Sequence, residues 1–280
     1  MSPNKRLTSY FNFILLAFSF ILIMTIIKYK LYYDNYYDQL NVDNRIYLKI
    51  KLNEFKSKRL NLQNEISTND TIKNVYIDLG TNKGDSVYNF FGLLEKPEGS
   101  NLNGQSLFDN EGEDSFILKT WDVYAFEANE YFNDQLNEMK NMIESLGHNV
   151  YLYDKTAACT FNGFIDFYLD TKSKYFDYGG SSLKKNHRDV VRSGFTKSKV
   201  RCVDIAEIIN KYKSTDIIIV KMDVEGSEYD LLQDFIVKDV ARLIDFMGVE
   251  FHDFVSPFKT PNDVFKSLYS LQGIKIINSD

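Results

Sequence analysis

Residues 75–86 read VYIDLGTNKGDS. A run of β-branched and apolar residues closes on an acid, Asp78, and then on Gly80, with a second glycine, Gly84, four residues further on. The pattern is that of a buried strand feeding a tight turn and then a helix. The first glycine lets the backbone reverse, and the second opens the helix where a side chain would crowd a ligand. A dinucleotide turn calls for Gly-x-Gly-x-x-Gly, which sets a pyrophosphate on the helix N-terminus. Here Thr81, Asn82 and Lys83 separate the glycines. A carboxylate at the strand end repels a pyrophosphate and suits a cationic or hydroxylated ligand. S-adenosylmethionine, with a sulfonium, an ammonium, a ribose and no phosphate, fits that description. An ordinary glycine turn also satisfies this stretch when it is read alone.

Outward from that turn, strands and helices alternate. SVYNFFGLL (86–94) has helical spacing, WDVYAFEAN (121–129) is a second strand ending in an acid, and EYFNDQLNEMKNMIESLG (130–147) is a helix closed by glycine. NVYLYDKTAA (149–158) reads as a third strand, and GFIDFYLD (163–170) alternates in a way that suggests an antiparallel excursion. DIIIVKMDVEG (216–226) is the most apolar strand, as expected at a sheet centre, and SEYDLLQDFI follows it as a helix. LIDFMGVEFHD (243–253), PNDVFKSLYSLQG (261–273) and IKIIN (274–278) complete the rhythm as strand, helix and strand. The order predicts an α/β fold with a mostly parallel, Rossmann-like sheet and helices on both faces. Ligands of such sheets bind beyond the carboxyl ends of the strands.

Candidate site residues are therefore sought at strand ends. Glu127 closes the second strand, one βα unit after the glycine turn, where a carboxylate accepts from both ribose hydroxyls. The bland alternative is an exposed acid at a helix N-terminus. Lys221, Asp223, Glu225 and Glu228 cluster past the most buried strand, and period-2 alternation places Lys221, Asp223 and Glu225 on one side. Charge buried there is costly unless it is paired or functional. VEFHD adds Glu250 and His252 at the next strand end; His252 is one of three histidines.

IDLGTNKGDS, YAFEAN, GGSSL, VKMDVEGSEYDLL and VEFHD, in this order, resemble the FkbM-type methyltransferases, a branch of the class I S-adenosylmethionine-dependent fold. The resemblance covers roughly residues 72 to 278, and the Lys-x-Asp-x-Glu-Gly-x-Glu run is its most specific element. It implies that Asp78, Gly80, Asn82 and Gly84 form the methionine end of the cofactor site, Glu127 the ribose site, and Ala157 and Ala158 the adenine edge. It also implies a catalytic or metal-binding acid at Asp223, and a substrate or cofactor contact at Ser181 and Ser182. The expected activity is O-methylation of a hydroxyl on a glycan, lipid or small molecule. Asp223 is the candidate base, with His252 or Glu250 assisting and Lys221 beside them. No complete metal site is visible; should a divalent ion bind, Asp223 and Glu250 are its expected oxygen ligands. Class I sheets usually close with an antiparallel strand pair, and here IKIIN lies close to Asp280, so the last strand is expected to be missing. A nucleotide oxidoreductase on a similar sheet competes, but the glycine spacing opposes it. A membrane-tethered binding protein that keeps the fold without turnover is the other alternative.

The N-terminus carries Lys5 and Arg6, then Tyr10 to Ile27 without a charge, then Lys28 and Lys30. Those 18 residues, as a helix, span about 27 Å, enough for a bilayer core. Thr25, Ile26 and Ile27 make a poor cleavage site, so an uncleaved signal anchor is expected. Residues 1–9 are then a short tail, 28–70 a stem, and 71–280 the methyltransferase domain. Positive residues flank both ends of the span; the N-terminal amine favours the catalytic domain in the lumen of the secretory pathway. The sequon Asn69-Asp70-Thr71 would be accessible there. Net charge is −6, from 39 acids and 33 bases, with no basic stripe, which argues against a nucleic-acid partner. Cys159 and Cys202 have no metal-ligand spacing; two buried thiols are the favoured reading over a single bridge. The Gly-, Asn- and acid-rich stretch 96–114 reads as a long loop, a candidate lid.

Overall fold

In the computed structural model of the chain, residues 72–93, 120–173, 178–252, 269 and 276–278 are described. The expected membrane span (10–27), stem (28–70), sequon and acidic loop (96–114) lie outside them, and of the expected helix 261–273 only Tyr269 is described. Among the described residues, no helix is long and apolar enough to cross a membrane.

The elements run β1 (Asn74–Leu79), α1 (Asp85–Phe90), β2 (Trp121–Phe126), α2 (Asn133–Ser145), β3 (Asn149–Tyr153), β4 (Thr156–Cys159) and β5 (Gly163–Tyr168). They continue with α3 (Arg188–Arg192), β6 (Lys197–Asp204), α4 (Ile205–Ile209), β7 (Ile217–Met222), α5 (Glu228–Val237), β8 (Phe246–Val249) and β9 (Ile276–Asn278). Six strands form one sheet in the order β3-β2-β1-β7-β8-β9, and every neighbouring pair is parallel. The described part of this sheet therefore has no antiparallel strand. All of β1 is buried and β7 nearly so, which explains their unbroken apolar character. Alternate residues of β1 face opposite layers. Val75, Ile77 and Leu79 pack with Ile205, Ile208 and Ile209 of α4 and Leu231, Leu232 and Phe235 of α5. Tyr76, on the other face, stacks on Phe90 of α1 with ring centroids 4.0 Å apart. Helices thus cover both faces, as the alternating pattern implied. Strand order reverses between β1 and β7, and a ligand crevice forms at such a reversal.

Two expectations are corrected. Residues 149–158 are not one strand: Lys155 takes a left-handed φ of +47°, and the chain leaves the main sheet to begin another. That second sheet has the order β4-β6-β5, with β5 antiparallel to β6 as its alternation suggested. Its central strand, KSKVRCVD (197–204), carries four charged residues and escaped a reading based on apolar runs. Cys159 and Cys202 are not free thiols but a disulfide clamping β4 to β6, with Cα atoms 5.5 Å apart. Spacing along the chain could not reveal a pairing created by the β4–β6 register, in which Ala157 faces Cys202.

Candidate functional site

The turn after β1 is tied to the end of β2. The amides of Gly80 and Thr81 both donate to the carbonyl of Phe126 at 3.0 Å, and Gly84 N–H donates to Thr81 O at 2.9 Å. Gly80 has a φ of +81°, and a Cβ there would lie 1.7 Å from the carbonyl oxygen of Asp223. The glycine is needed because the β1 turn and the chain leaving β7 touch backbone to backbone. At Gly84 (φ +97°) a Cβ would lie 2.8 Å from Cγ of Met139, so this glycine serves α1–α2 packing.

Glu127 stands where β1 and β2 open outward. Its Oε2 accepts from Asn82 N–H at 2.8 Å and its Oε1 from Asn129 N–H at 2.7 Å. The side chain is almost wholly buried, and burial raises its pKa to about 7 in spite of those two amide bonds. Each carboxylate oxygen retains a lone pair for a further donor. The cavity it lines holds about 590 Å³ of space free of atoms, part of it open to solvent. Phe126, Ala128, Phe132, Ala157, Ala158, Phe167 and Leu183 give it apolar walls. Gly80, Asn82, Asn129, Ser181, Asp223, Glu225 and Ser227 supply its polar side. Asn82 Oδ1 and Ser227 Oγ are buried without a hydrogen-bond partner, although both residues line the cavity. Buried polar atoms are rarely left so. An apolar chamber with one buried carboxylate and two such atoms fits a ligand that is part flat ring, part hydroxylated and part cationic.

A charged cluster adjoins it. Lys221 Nζ donates to Gly80 O at 2.8 Å and Asp223 Oδ2 at 3.3 Å, and lies 3.5 Å from Asp78 Oδ1. Burial works against its charge, but Asp78 and Asp223 outweigh that and raise its pKa. Asp78 is fully enclosed and also accepts from Ser86 Oγ; burial raises its pKa against the pull of Lys221 and Ser86. Beyond Met222 the strand ends, and Glu225 sits in a turn with a φ of +53°. Ser182 Oγ donates to Glu225 O at 2.6 Å and so fixes that turn. His187 Nδ1 accepts from Asp189 N–H at 3.3 Å, so the proton is on Nε2, which donates to Glu225 Oε2 at 2.9 Å. His252 Nδ1 donates to Glu228 Oε1 at 2.9 Å, and its Nε2 lies 3.2 Å from Glu225 Oε2 and 3.7 Å from Glu250 Oε1. Glu228 Oε1 also accepts from Val224 and Gly226 N–H, so a wholly buried carboxylate orients the imidazole. Burial disfavours a charged His252, but the bond to Glu228 and the charges of Glu225, Glu228 and Asp223 prevail and raise its pKa to about 9.

Residues 78–269, well over half of the chain, match the family model described as the methyltransferase FkbM domain. The chain belongs to the FkbM methyltransferase family. Comparison with curated proteins and with solved structures gave no match.

Of the residues read from the sequence as the methyltransferase's cofactor site, the structure brings Gly80, Asn82, Glu127, Ala157, Ala158 and Asp223 together around one cavity. Asp78 and Gly84 do not line it; they build the turn from beneath. Of the residues read as catalytic, only Asp223 lines the cavity, while Lys221, Glu250 and His252 do not. Lys221 acts as counter-ion to Asp78 and Asp223. The bond to Glu228 and the neighbouring carboxylates raise the pKa of His252 to about 9, which favours its charged form. Of the serine pair, Ser181 lines the cavity and Ser182 braces the Glu225 turn. The reading also missed His187, in the plain stretch KKNHRD, and Ser227, Phe132 and Tyr178 on the cavity wall. Ser227 sits inside the run already singled out, between Gly226 and Glu228; only the tertiary fold brings the other three to the site.

Proposed function

We propose that the chain transfers a methyl group from S-adenosylmethionine to a hydroxyl oxygen, with a glycan, lipid or small molecule as acceptor. The observation that carries this reading is Glu127: a buried carboxylate at the end of β2, held by two backbone amides and facing an apolar cavity beside the Gly80 turn. Asn82, Ser227 and Glu127 would hold the methionine and ribose portions, and Ala157, Ala158 and Phe132 the flat ring. The bound cofactor supplies an activated methyl group. The protein's part is chiefly positional, holding donor and acceptor within about 3–3.5 Å and in line. Asp223, on the cavity and neutralised by Lys221, takes the acceptor's proton or fixes the hydroxyl by a hydrogen bond. With His252 charged, a carboxylate rather than an imidazole serves as base.

The N-terminal apolar stretch supports a membrane-anchored protein, and the Cys159–Cys202 disulfide supports an oxidising compartment such as the secretory lumen. The full-length chain, incubated with methyl-tritiated donor and a panel of glycans and lipids, should yield label that survives mild alkali. An ether survives that treatment, whereas a methyl ester is released as methanol. Alkali-labile product would refute O-transfer to a hydroxyl. Failure of the folded protein to bind S-adenosylhomocysteine would refute the cofactor assignment.

A further inference from the structure

Strand β6 alternates charged and buried residues. Lys197, Lys199 and Arg201 are exposed on one face, and Val200 and Cys202 are buried on the other. Lys197 pairs with Asp166 of the neighbouring strand. Among the described residues, no carboxylate pairs with Lys199 or Arg201. In the antiparallel register Arg201 faces Phe164, which is 69% exposed, and Lys199 Nζ lies 5.8 Å from the centroid of that ring. These three side chains, with Tyr153, Asp154 and Lys155, line a groove holding about 730 Å³ of space free of atoms, part of it open to solvent. Lys155 comes to it from its left-handed turn and is held by Glu130 at 2.6 Å. Three cations and one acid thus share a concavity in a chain whose net charge is −6. Like charges gathered without counter-ions repel one another, and an anion between them relieves the repulsion. The groove backs onto the cavity beside Glu127: Thr156 belongs to both walls, and Tyr153 stacks on Phe126 of the cavity with ring centroids 4.2 Å apart.

We propose that this groove binds an acidic sugar unit of a glycan, a ring that carries a carboxylate or a sulfate. Arg201 presents a planar fork of donors that matches two oxygens of such a group, and Lys199 adds a point charge. The open ring of Phe164 offers an apolar face for the C–H side of the sugar. Asp154 accepts from Asn133 Nδ2 at 3.5 Å and keeps lone pairs for sugar hydroxyls. That acid opposes a dense polyanion, and a concave site does not match a flat bilayer, so a glycan is favoured over a nucleic acid or an anionic membrane. The site stands on its own residues and does not depend on methyl transfer.

The test titrates the full-length protein, in detergent, with three fluorescent hexasaccharides and follows binding by thermophoresis. Hyaluronan carries carboxylates alone, chondroitin sulfate carries sulfates as well, and chitohexaose is uncharged. An acidic hexasaccharide should bind about tenfold or more tighter than chitohexaose, and less tightly as salt is raised. Binding of hyaluronan would assign the site to a carboxylate; binding of chondroitin sulfate alone would assign it to a sulfate. Arg201→Gln and Phe164→Ala should each weaken binding about fivefold or more. Arg242→Gln, which removes an exposed cation paired with Asp239, should leave it unchanged. The substituted side chains are exposed, and thermal melting checks that each variant folds. S-adenosylhomocysteine binding on the same samples reports separately on the donor cavity. Saccharide binding without nucleoside binding would sink the methyl-transfer reading and leave the groove standing. Equal affinity for chitohexaose, an equal loss in Arg242→Gln, or undiminished affinity in Arg201→Gln would overturn the assignment. Binding confined to phosphatidylserine vesicles would overturn it too, the face then being a membrane contact.

Discussion

Acidity should work on Glu127 in opposite directions for the empty protein and for its complex. Burial raises the pKa of this carboxyl from 4.5 to about 7, a difference of about 3 kcal/mol between its charged and neutral forms. A carboxyl whose pKa is higher folded than unfolded adds stability that is fully present below 4.5 and lost as pH rises through 7. The unliganded protein should therefore gain up to about 3 kcal/mol from this residue on going from pH 8 to pH 5. The complex behaves otherwise, because ribose hydroxyls donate to the charged form. If only the carboxylate accepts them, affinity for S-adenosylhomocysteine falls about tenfold per pH unit below 7, reaching roughly thirtyfold between pH 8 and pH 5.5. Isothermal titration across that range reads the effect directly. Glu127→Gln should bind weakly and with no such slope, while its thermal stability loses the acid-side gain. A wild-type affinity that stays level from pH 5.5 to pH 8 would refute the reasoning, because a carboxylate in contact with the ribose cannot titrate silently.

Gly80→Ala places a Cβ 1.7 Å from the Asp223 carbonyl in a left-handed backbone, and should cost about 3 kcal/mol or more in urea denaturation and abolish nucleoside binding. Wild-type stability would show that the β1 and β7 turns do not touch. Asp78→Asn breaks the enclosed pair with Lys221 and should destabilise the protein by about 3 kcal/mol, while leaving S-adenosylhomocysteine affinity little changed. Lost affinity at undiminished stability would put Asp78 in the ligand site instead. Cys202→Ser removes a bridge across 43 residues and should lower stability by about 2–4 kcal/mol, with reduction by dithiothreitol lowering the wild type to match.

The contrast between Asp78 and Glu127 shows how far the sequence could be read. Both are acids at the ends of buried parallel strands, and the same pattern marks both as ligand contacts. The main sheet was legible because apolar runs, helical spacing and glycine punctuation each depend on local chemistry. Glu127 was legible because its place one βα unit after the turn is a property of chain order. Asp78 shares that legibility but not the position: it is enclosed beneath the turn, 3.5 Å from Lys221, 143 residues further along, rather than on the cavity wall. The same limit explains Glu225. Alternation would have put it in line with Lys221 and Asp223, but the strand stops at Met222 and a left-handed turn carries Glu225 to the cavity by another route. His187 and Ser182, which hold that turn, come from a segment with no periodic signal. Residues that grip a ligand through their own strand are visible in one dimension. Residues that position those residues depend on a register between distant segments, as the Cys159–Cys202 pairing does. The charged cluster around His252 is of this second kind: its acids were visible one by one, but only the fold puts Glu228 behind the imidazole and Asp223 and Glu225 in front of it.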